Sequence, residues 1–324
     1  MASVRNWRSL SPLNGPYRAQ LHDIAPLNVV FSDAFTERYR RDGMVGVRVP
    51  NLNPQVWRYA IEDAADGAML WRDSRGEIAA FNMVHHSGAE GWMGPLAVRT
   101  DYQGTGTGKT VVDTGVRWLK AAGTRVIGLE TMPRTMDNIG FYSSIGFLPG
   151  FLTLTFTLEA ANADRAPDLF GRLNMRDRDA HLEEMRALVL GLASGYDFTR
   201  EVELTDALAL GDTLLLREQG AITGFAICHT TPLVEGRTRE ELRVLKLVLR
   251  DASSLEAMTR MLRDYARRSG TRRVSIRLQG GHEWAFKVLV SLGGRIRWTD
   301  LRMSLEGFAE KAPERGLLLS NWEI

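Results

Sequence analysis

Cys228 is the single cysteine in a chain of 324 residues. A lone thiol excludes an internal disulfide framework and any cysteine-rich metal site. Charge of one sign is also missing: 41 Lys and Arg stand against 39 Asp and Glu, a formal net charge of +2. The pI near 8.8 reflects that small surplus rather than a basic stripe, so nucleic acid is not an expected partner. No apolar run reaches the length of a membrane span, and the start, "MASVRNWRSL", lacks the apolar centre of a secretion signal. A cytoplasmic protein with no membrane partner and no metal is the expectation. The composition, 44% apolar and 25% charged, is ordinary for a globular protein. The chain is longer than one core usually serves, so two domains are expected.

The chain carries a repeat of itself. "GAMLWRDSRGEIAAFNMVHH" (67–86) aligns without a gap on "GDTLLLREQGAITGFAICHT" (211–230) at an offset of 144. Gly67, Leu70, Gly76, Ile78, Phe81 and His85 meet Gly211, Leu214, Gly220, Ile222, Phe225 and His229. Further on, "SIGFLPGFLTLTFTLEA" (144–160) matches "SLGGRIRWTDLRMSLEG" (291–307) at an offset of 147. Two matches in the same order indicate a duplicated domain, with copies over 1–160 and 165–324 and a polar, alanine-rich joint near 159–168. Residues 1–26 form an extension before the first repeat.

The pattern predicts an α+β fold. Helical spacing runs over 27–42 and 54–66, with Pro54 at the start of the second helix. Strands follow at 68–73, 77–86 and 91–99. A helix at 108–123 carries Val111, Val112, Val116 and Leu119 on one stripe and ends at Gly123. A strand at 125–132, a helix at 137–146 and a strand at 151–159 complete the repeat. "GLLLSNWEI" (316–324) is expected to add an edge strand.

Between the strand near 91–99 and the next helix stands "YQGTGTGK" (102–109), with glycines at 104, 106 and 108. Glycine costs conformational entropy on folding, so such a cluster points to a tight turn or to a backbone that touches a ligand. A strand, glycine turn and helix expose several amides at the positive end of the helix dipole, a site for phosphate. The P-loop pattern fails, because the position four-gap before Gly108 is Gln103. The dinucleotide fingerprint fails too, because these glycines are evenly spaced by two.

The turn does match Q/R-x-x-G-x-G/A, filled by Gln103, Gly106 and Gly108. With "GPLAVRTDYQGTGTGKTVVD" before it and "FYSSIGF" (141–147) after it, the region 27–160 resembles the GNAT superfamily of acyl-CoA-dependent N-acyltransferases. The resemblance implies two tandem GNAT-fold domains, each a mixed, mostly antiparallel sheet flanked by helices, of which the second resembles the fold only. It implies that the pyrophosphate of acetyl-CoA rests on Gly104, Thr105, Gly106, Thr107, Gly108 and Lys109. The pantetheine arm would pair against Leu96, Ala97 and Val98, with the Val98 amide facing the thioester oxygen. An amine of a small molecule or peptide would attack the thioester directly, and Tyr142 would protonate the departing thiolate. The asparagine that the family often carries seven residues before this tyrosine falls on Thr135, while Asn138 lies four before it; either is a candidate CoA contact. Glu130 and His85 are the candidate general bases. His85 recurs as His229, which favours a structural role, and Cys228 reads as packing. The run "RYRR" (38–41) reads as a solvated helix face, and Tyr39, Arg48 and Trp57 are candidate substrate contacts.

In the second repeat the turn is replaced by "LVLRDASSLEAMTRML" (247–262), without glycine, and Leu289 stands where Tyr142 stands in the first. Loss of CoA binding there is expected. The alternative to an enzyme is a non-catalytic acyl-CoA sensor or interaction module. The acceptor and the oligomeric state are open.

Overall fold

The computed structural model describes residues 12–163 and 166–324; the quoted start of the chain and residues 164 and 165 of the expected joint lie outside them. The first series of elements is β1 (Asn14–Arg18), α1 (Ile24–Arg41), α2 (Pro54–Ala64), β2 (Ala68–Arg72), β3 (Ile78–Ser87), β4 (Glu90–Val98), α3 (Thr107–Ala121), β5 (Val126–Thr131), α4 (Met136–Ser144) and β6 (Phe147–Glu159). The second is β7 (Asp168–Leu169), α5 (Met175–Leu192), α6 (Thr199–Ala207), β8 (Gly211–Glu218), β9 (Ala221–His229), β10 (Glu241–Leu249), α7 (Leu255–Arg268), β11 (Arg273–Gln279), α8 (Glu283–Ser291), β12 (Arg295–Leu305) and β13 (Leu317–Ser320). From α1 to β6 and from α5 to β12 the order of helices and strands is the same. Local signals act where expected: Pro54 opens α2, and the Asn53 side chain accepts from the Gln55 amide.

All described strands join one sheet, in the order β1-β2-β3-β4-β5-β12-β6-β11-β10-β9-β8-β7, with β13 paired to β10. Only β4–β5 and β10–β11 are parallel, so the sheet is mixed and mostly antiparallel. It does not divide at the joint in the sequence. The last strand of each repeat lies among the strands of the other: β12 pairs with β5, and β6 pairs with β11. The two exchanged strands also pair with each other, from Arg295 opposite Thr157 to Leu305 opposite Phe147. Exchange leaves no open edge in the middle of the sheet, where unpaired backbone groups would otherwise be buried.

Helices cover both faces. Leu27, Phe31, Trp57, Met185 and Val202 of α1, α2, α5 and α6 bury against one face. On the other, Val112, Leu119 and Tyr142 of α3 and α4 pack beside one half of the sheet. Leu255, Leu262 and Leu289 of α7 and α8 pack beside the other half. Strands covered on both sides read as continuous apolar runs, as β3 and β9 do.

The segment expected to form an edge strand is instead internal. β10 pairs with β11 only from Glu241 to Arg243 and then diverges from it. β13 fills the gap, Lys246–Leu249 facing Ser320–Leu317. Beyond it, Trp322 lies against β5, where a Cβ on Gly128 would stand 2.1 Å from the indole ring. Its ring nitrogen donates to Glu90 at 2.8 Å, and Ser320 Oγ donates to the same carboxylate at 2.7 Å. Lys246 Nζ lies 3.2 Å from it.

Where the exchanged strands meet, Glu130 of β5 is buried between two guanidiniums of the second repeat. Arg277 approaches it at 2.5 Å and Arg302 at 3.0 Å. Removing one partner of a buried pair leaves the other charge without compensation. Arg277→Ala is therefore expected to lower the unfolding free energy by about 3–5 kcal/mol, measured by urea denaturation; a loss no larger than that of an exposed arginine would show that the seam does not depend on this pair.

Candidate active site

The glycine turn folds as a left-handed bend capping a helix. Gly104 and Gly106 have φ of +75° and +90°, and Gly106 is the N-cap of α3. A Cβ at either would meet nothing within 4 Å, so it is the backbone conformation, not crowding, that calls for glycine. The same measurement shows open space above the turn. The amides of residues 104–109 make no backbone hydrogen bond outside α3 among the described residues, as the first turn of a helix requires. Thr105 Oγ1 donates to the Tyr102 carbonyl at 2.6 Å, and Gln103 Nε2 to the Val98 carbonyl at 2.9 Å. Those two bonds brace the turn against β4. Lys109 is exposed and Thr107 and Gly108 are partly covered; the Gly108 Cα faces the Phe141 ring, 3.4 Å from where a Cβ would be.

Next to the turn the sheet opens. β4 pairs with β5 from Glu90 to Met93 and no further. The register with β3 shifts between Met93 and Leu96, so Gly94 and Pro95 form a bulge that turns β4 away. Beyond it the Arg99 amide donates to Ala79. Antiparallel pairing alternates, so Ala97 also bonds to β3 while the amides of Leu96 and Val98 point into the opening. An amide at that place can face an oxygen of a bound acyl group.

Tyr142 lies on α4 among Phe141 and Phe147, with ring centroids 5.1 and 6.0 Å away. Burial pushes its phenol well above the usual range, so it remains protonated and able to donate. Asn138 Nδ2 reaches toward Thr131 Oγ1 at 3.5 Å, at the end of β5.

Three expectations are corrected by the geometry. Thr135 is fully buried and its hydroxyl donates to Asp42 at 2.7 Å, within a brace that also holds Arg38 and Arg134; it is not free to contact CoA. Glu130 is not available as a base. Burial alone would raise its carboxyl, but Arg277 and Arg302, helped by hydrogen bonds from Thr153 and Arg277, outweigh it and hold it at about 2. His85 is buried, stacked on Trp92 at 3.9 Å, with Nδ1 on Asp63 and Nε2 on the Gly94 carbonyl. Both ring nitrogens are thus engaged by groups of the fold itself. Its counterpart His229 is likewise enclosed, near Thr205 and Tyr59.

Among the candidate substrate contacts, Trp57 is fully buried and donates to Asn28 at 2.6 Å, which removes it. Arg48 pairs with Asp33 on the surface. Arg38 of the "RYRR" run is largely covered between Asp42 and Asp137 rather than solvated. Tyr39 faces the sheet, with the carboxylates of Asp300 and Glu323 near enough to add to the effect of burial in raising its phenol. Cys228 is packed in the core as expected.

Sequence reasoning missed Asp300. It sits on β12 opposite Thr153 of β6, one step beyond the pair Leu301–Thr131 with β5. Arg277 donates to it at 3.0 Å and Trp298 Nε1 at 3.2 Å. Burial and the Glu323 carboxylate push it up, Arg277 opposes them, and the balance lies at about 6. No local signal could have found it, because it enters the first repeat only through strand exchange.

Comparison with known proteins agrees with this architecture. Residues 32–147 match the family model described as Acetyltransferase (GNAT) family. Members of this family transfer acyl groups from acyl-CoA. Among solved structures, a putative acetyltransferase of Pyrococcus horikoshii is 14% identical with a TM-score of 0.66, covering 99% of this chain and 98% of that one. A tandem GNAT protein from the clavulanic acid biosynthesis pathway is 10% identical with a TM-score of 0.59, covering 93% and 100%. Saccharomyces cerevisiae N-myristoyltransferase with bound myristoylCoA is 10% identical with a TM-score of 0.61, covering 94% and 84%. At these identities the likeness is one of fold. No curated protein matches by sequence. No helix among the described residues is long and apolar enough to cross a membrane.

The depressed Glu130 carboxyl has a pH consequence. Its stabilising contribution is complete above the ordinary value of 4.5 and is lost as pH falls toward about 2. Glu130→Gln is expected to flatten the acid side of the stability curve over that interval, checked by urea denaturation at a series of pH values.

Proposed function

We propose that the chain is an N-acetyltransferase that moves the acetyl group of acetyl-CoA to a primary amine, with its active site in the first repeat. The observation that carries this reading is the opening between β4 and β5 beside the glycine turn. It presents outward-facing amides of Leu96 and Val98 next to a helix N-terminus with room above it. In the proposed site the amides of 104–109 receive the pyrophosphate, and the edge of β4 receives the pantetheine arm. The Val98 amide stabilises charge on the thioester oxygen, and Tyr142 supplies a proton to the leaving sulfur. Acetyl-CoA supplies the activated acyl group; the protein supplies position, dipoles and the proton.

The second repeat is read as a degenerate GNAT-like domain. Its matching opening, between β10 and β11, is closed by β13, whose backbone pairs with Lys246–Leu249. Leu289, at the place of Tyr142, is packed in the core and offers no proton. This half buttresses the first and contributes β12 to it.

Calorimetric titration with acetyl-CoA is expected to give one site per chain; two sites would refute the degenerate reading. Lys109→Glu, which reverses the charge at an exposed residue of the turn and leaves its positive-φ glycines and the Thr105 bond in place, is expected to weaken that binding at least about tenfold, ~1.4 kcal/mol. Tyr142→Phe is expected to lower kcat by roughly 10²–10⁴-fold with acetyl-CoA binding retained, measured by thiol release with a panel of amines. A sensor would bind acetyl-CoA and show no turnover with any of them.

A further inference from the structure

Six charged side chains meet on the α1 face of the sheet, where the repeats exchange strands. Arg277 contacts Glu130, Asp300 and Glu323; Arg302 contacts Glu130 and Glu310. Four carboxylates thus share two guanidiniums, although the Glu323 side chain is 52% exposed and so largely solvated. Of the two buried carboxylates, Glu130 has both guanidiniums, whereas Asp300 has only Arg277, which it shares with Glu130 and Glu323, so the charge of Asp300 is the less fully compensated.

A second observation lies in the same place. Gln279, Thr153 and Asp300 form one cross-strand row, because Thr153 is opposite Gln279 on β11 and opposite Asp300 on β12. Residues directly opposite each other point to the same face. The Gln279 side chain is 5% exposed, and its Oε1 has no hydrogen-bond donor among the described residues. The row therefore holds two acceptors, a carboxylate and an amide oxygen, within two strand spacings of each other, ~10 Å. The group that satisfies such a row is a donor with positive charge, and a primary ammonium has three N–H donors. Around the row stand Trp298, 43% exposed, Glu323, half exposed and paired with Arg277, and Tyr39 of α1, which feels both the Asp300 and the Glu323 carboxylates.

We propose that this row is the acceptor half of the active site: Asp300, delivered by the second repeat, receives the substrate as a primary ammonium and takes its proton. This deepens the acyltransferase reading and rests on it for the chemical step. One N–H bond of the ammonium breaks and its proton passes to the Asp300 carboxylate. The freed nitrogen lone pair forms the N–C bond as the C–S bond breaks, and the sulfur takes the Tyr142 proton. The second nitrogen proton restores Tyr142, and the Asp300 proton leaves to solvent. Asp300 is suited to this because burial and Glu323 raise it while Arg277 lowers it, giving about 6. Glu130, Arg302 and Tyr39 complete the groups around it. Trp298 is a positioning residue, donating to Asp300 Oδ1. The half-exposed indole suits an acceptor with an apolar flank beside its amine.

The test uses the full chain with two probes of one shape, phenethylamine and 2-phenylethanol, titrated by ligand-observed NMR with and without acetyl-CoA. Phenethylamine is expected to bind at least about tenfold more tightly than the alcohol, and its affinity to fall as pH drops through about 6. Asp300→Asn, shown to fold by its melting curve, is expected to remove both the preference and the pH dependence. Trp298→Phe is expected to keep the preference and to shift the pH midpoint. Equal binding of the two probes to the native chain would overturn the proposal, as would an amine affinity unchanged in Asp300→Asn. If Asp300→Asn does not fold, Gln279→Leu gives the second reading, with the amine preference reduced; an unchanged preference there overturns the proposal. Should acetyl-CoA fail to bind while the amine preference persists, the acyl-transfer reading fails and the ammonium site stands.

Discussion

A carboxylate cannot be buried in a protein without a partner, and Glu130 finds its partners in the other half of the chain. Arg277 stands in the second repeat at the position Glu130 holds in the first, 147 residues earlier, and the two side chains touch. Halves that pack by an approximate two-fold relation bring equivalent positions together. Two glutamates there would repel, as would two arginines. Opposite charges at this one position make an ion pair instead. Arg302, Asp300 and Glu323 are then drawn into the same network, and the course of the sheet across the middle of the molecule depends on it.

The exchange of β6 and β12 makes the two repeats unequal in a useful way. Because β12 lies next to β5, the far side of β5 in the first repeat is lined by residues of the second. Because the chain continues past β12, β13 can return to β10 and occupy the opening there. Each effect follows from connectivity rather than from any single contact. One opening in the sheet remains beside the glycine turn. The other is sealed by backbone hydrogen bonds of the chain itself.

Much of the fold was legible in the sequence, for local reasons. Helical stripes at Val111, Val112 and Leu119, the proline opening α2 and the glycines at turns all report short-range preferences, and the observed elements follow them closely. The glycine turn was legible because left-handed backbone at Gly104 and Gly106 leaves few choices of residue. The failures concern side chains whose surroundings are distant in sequence. Glu130 reads as a free strand carboxylate until Arg277 and Arg302 are placed beside it. His85 reads as a candidate base until Asp63 and the Gly94 carbonyl occupy its ring. Thr135 reads as a polar contact until Asp42 accepts its hydroxyl.

By itself, then, the sequence determined the elements, the internal repeat and the half of the chain that keeps the glycine turn, since each is written in neighbouring residues or in their periodic recurrence. Only the tertiary structure decided which strand lies beside which. β6 and β12 occupy matching positions in the two repeats and carry the same alternation, so either satisfies the pattern beside β5, and no local preference distinguishes them. That choice is made by long-range pairing and buried charge. It sets Asp300 beside the end of β5 and β13 against β10.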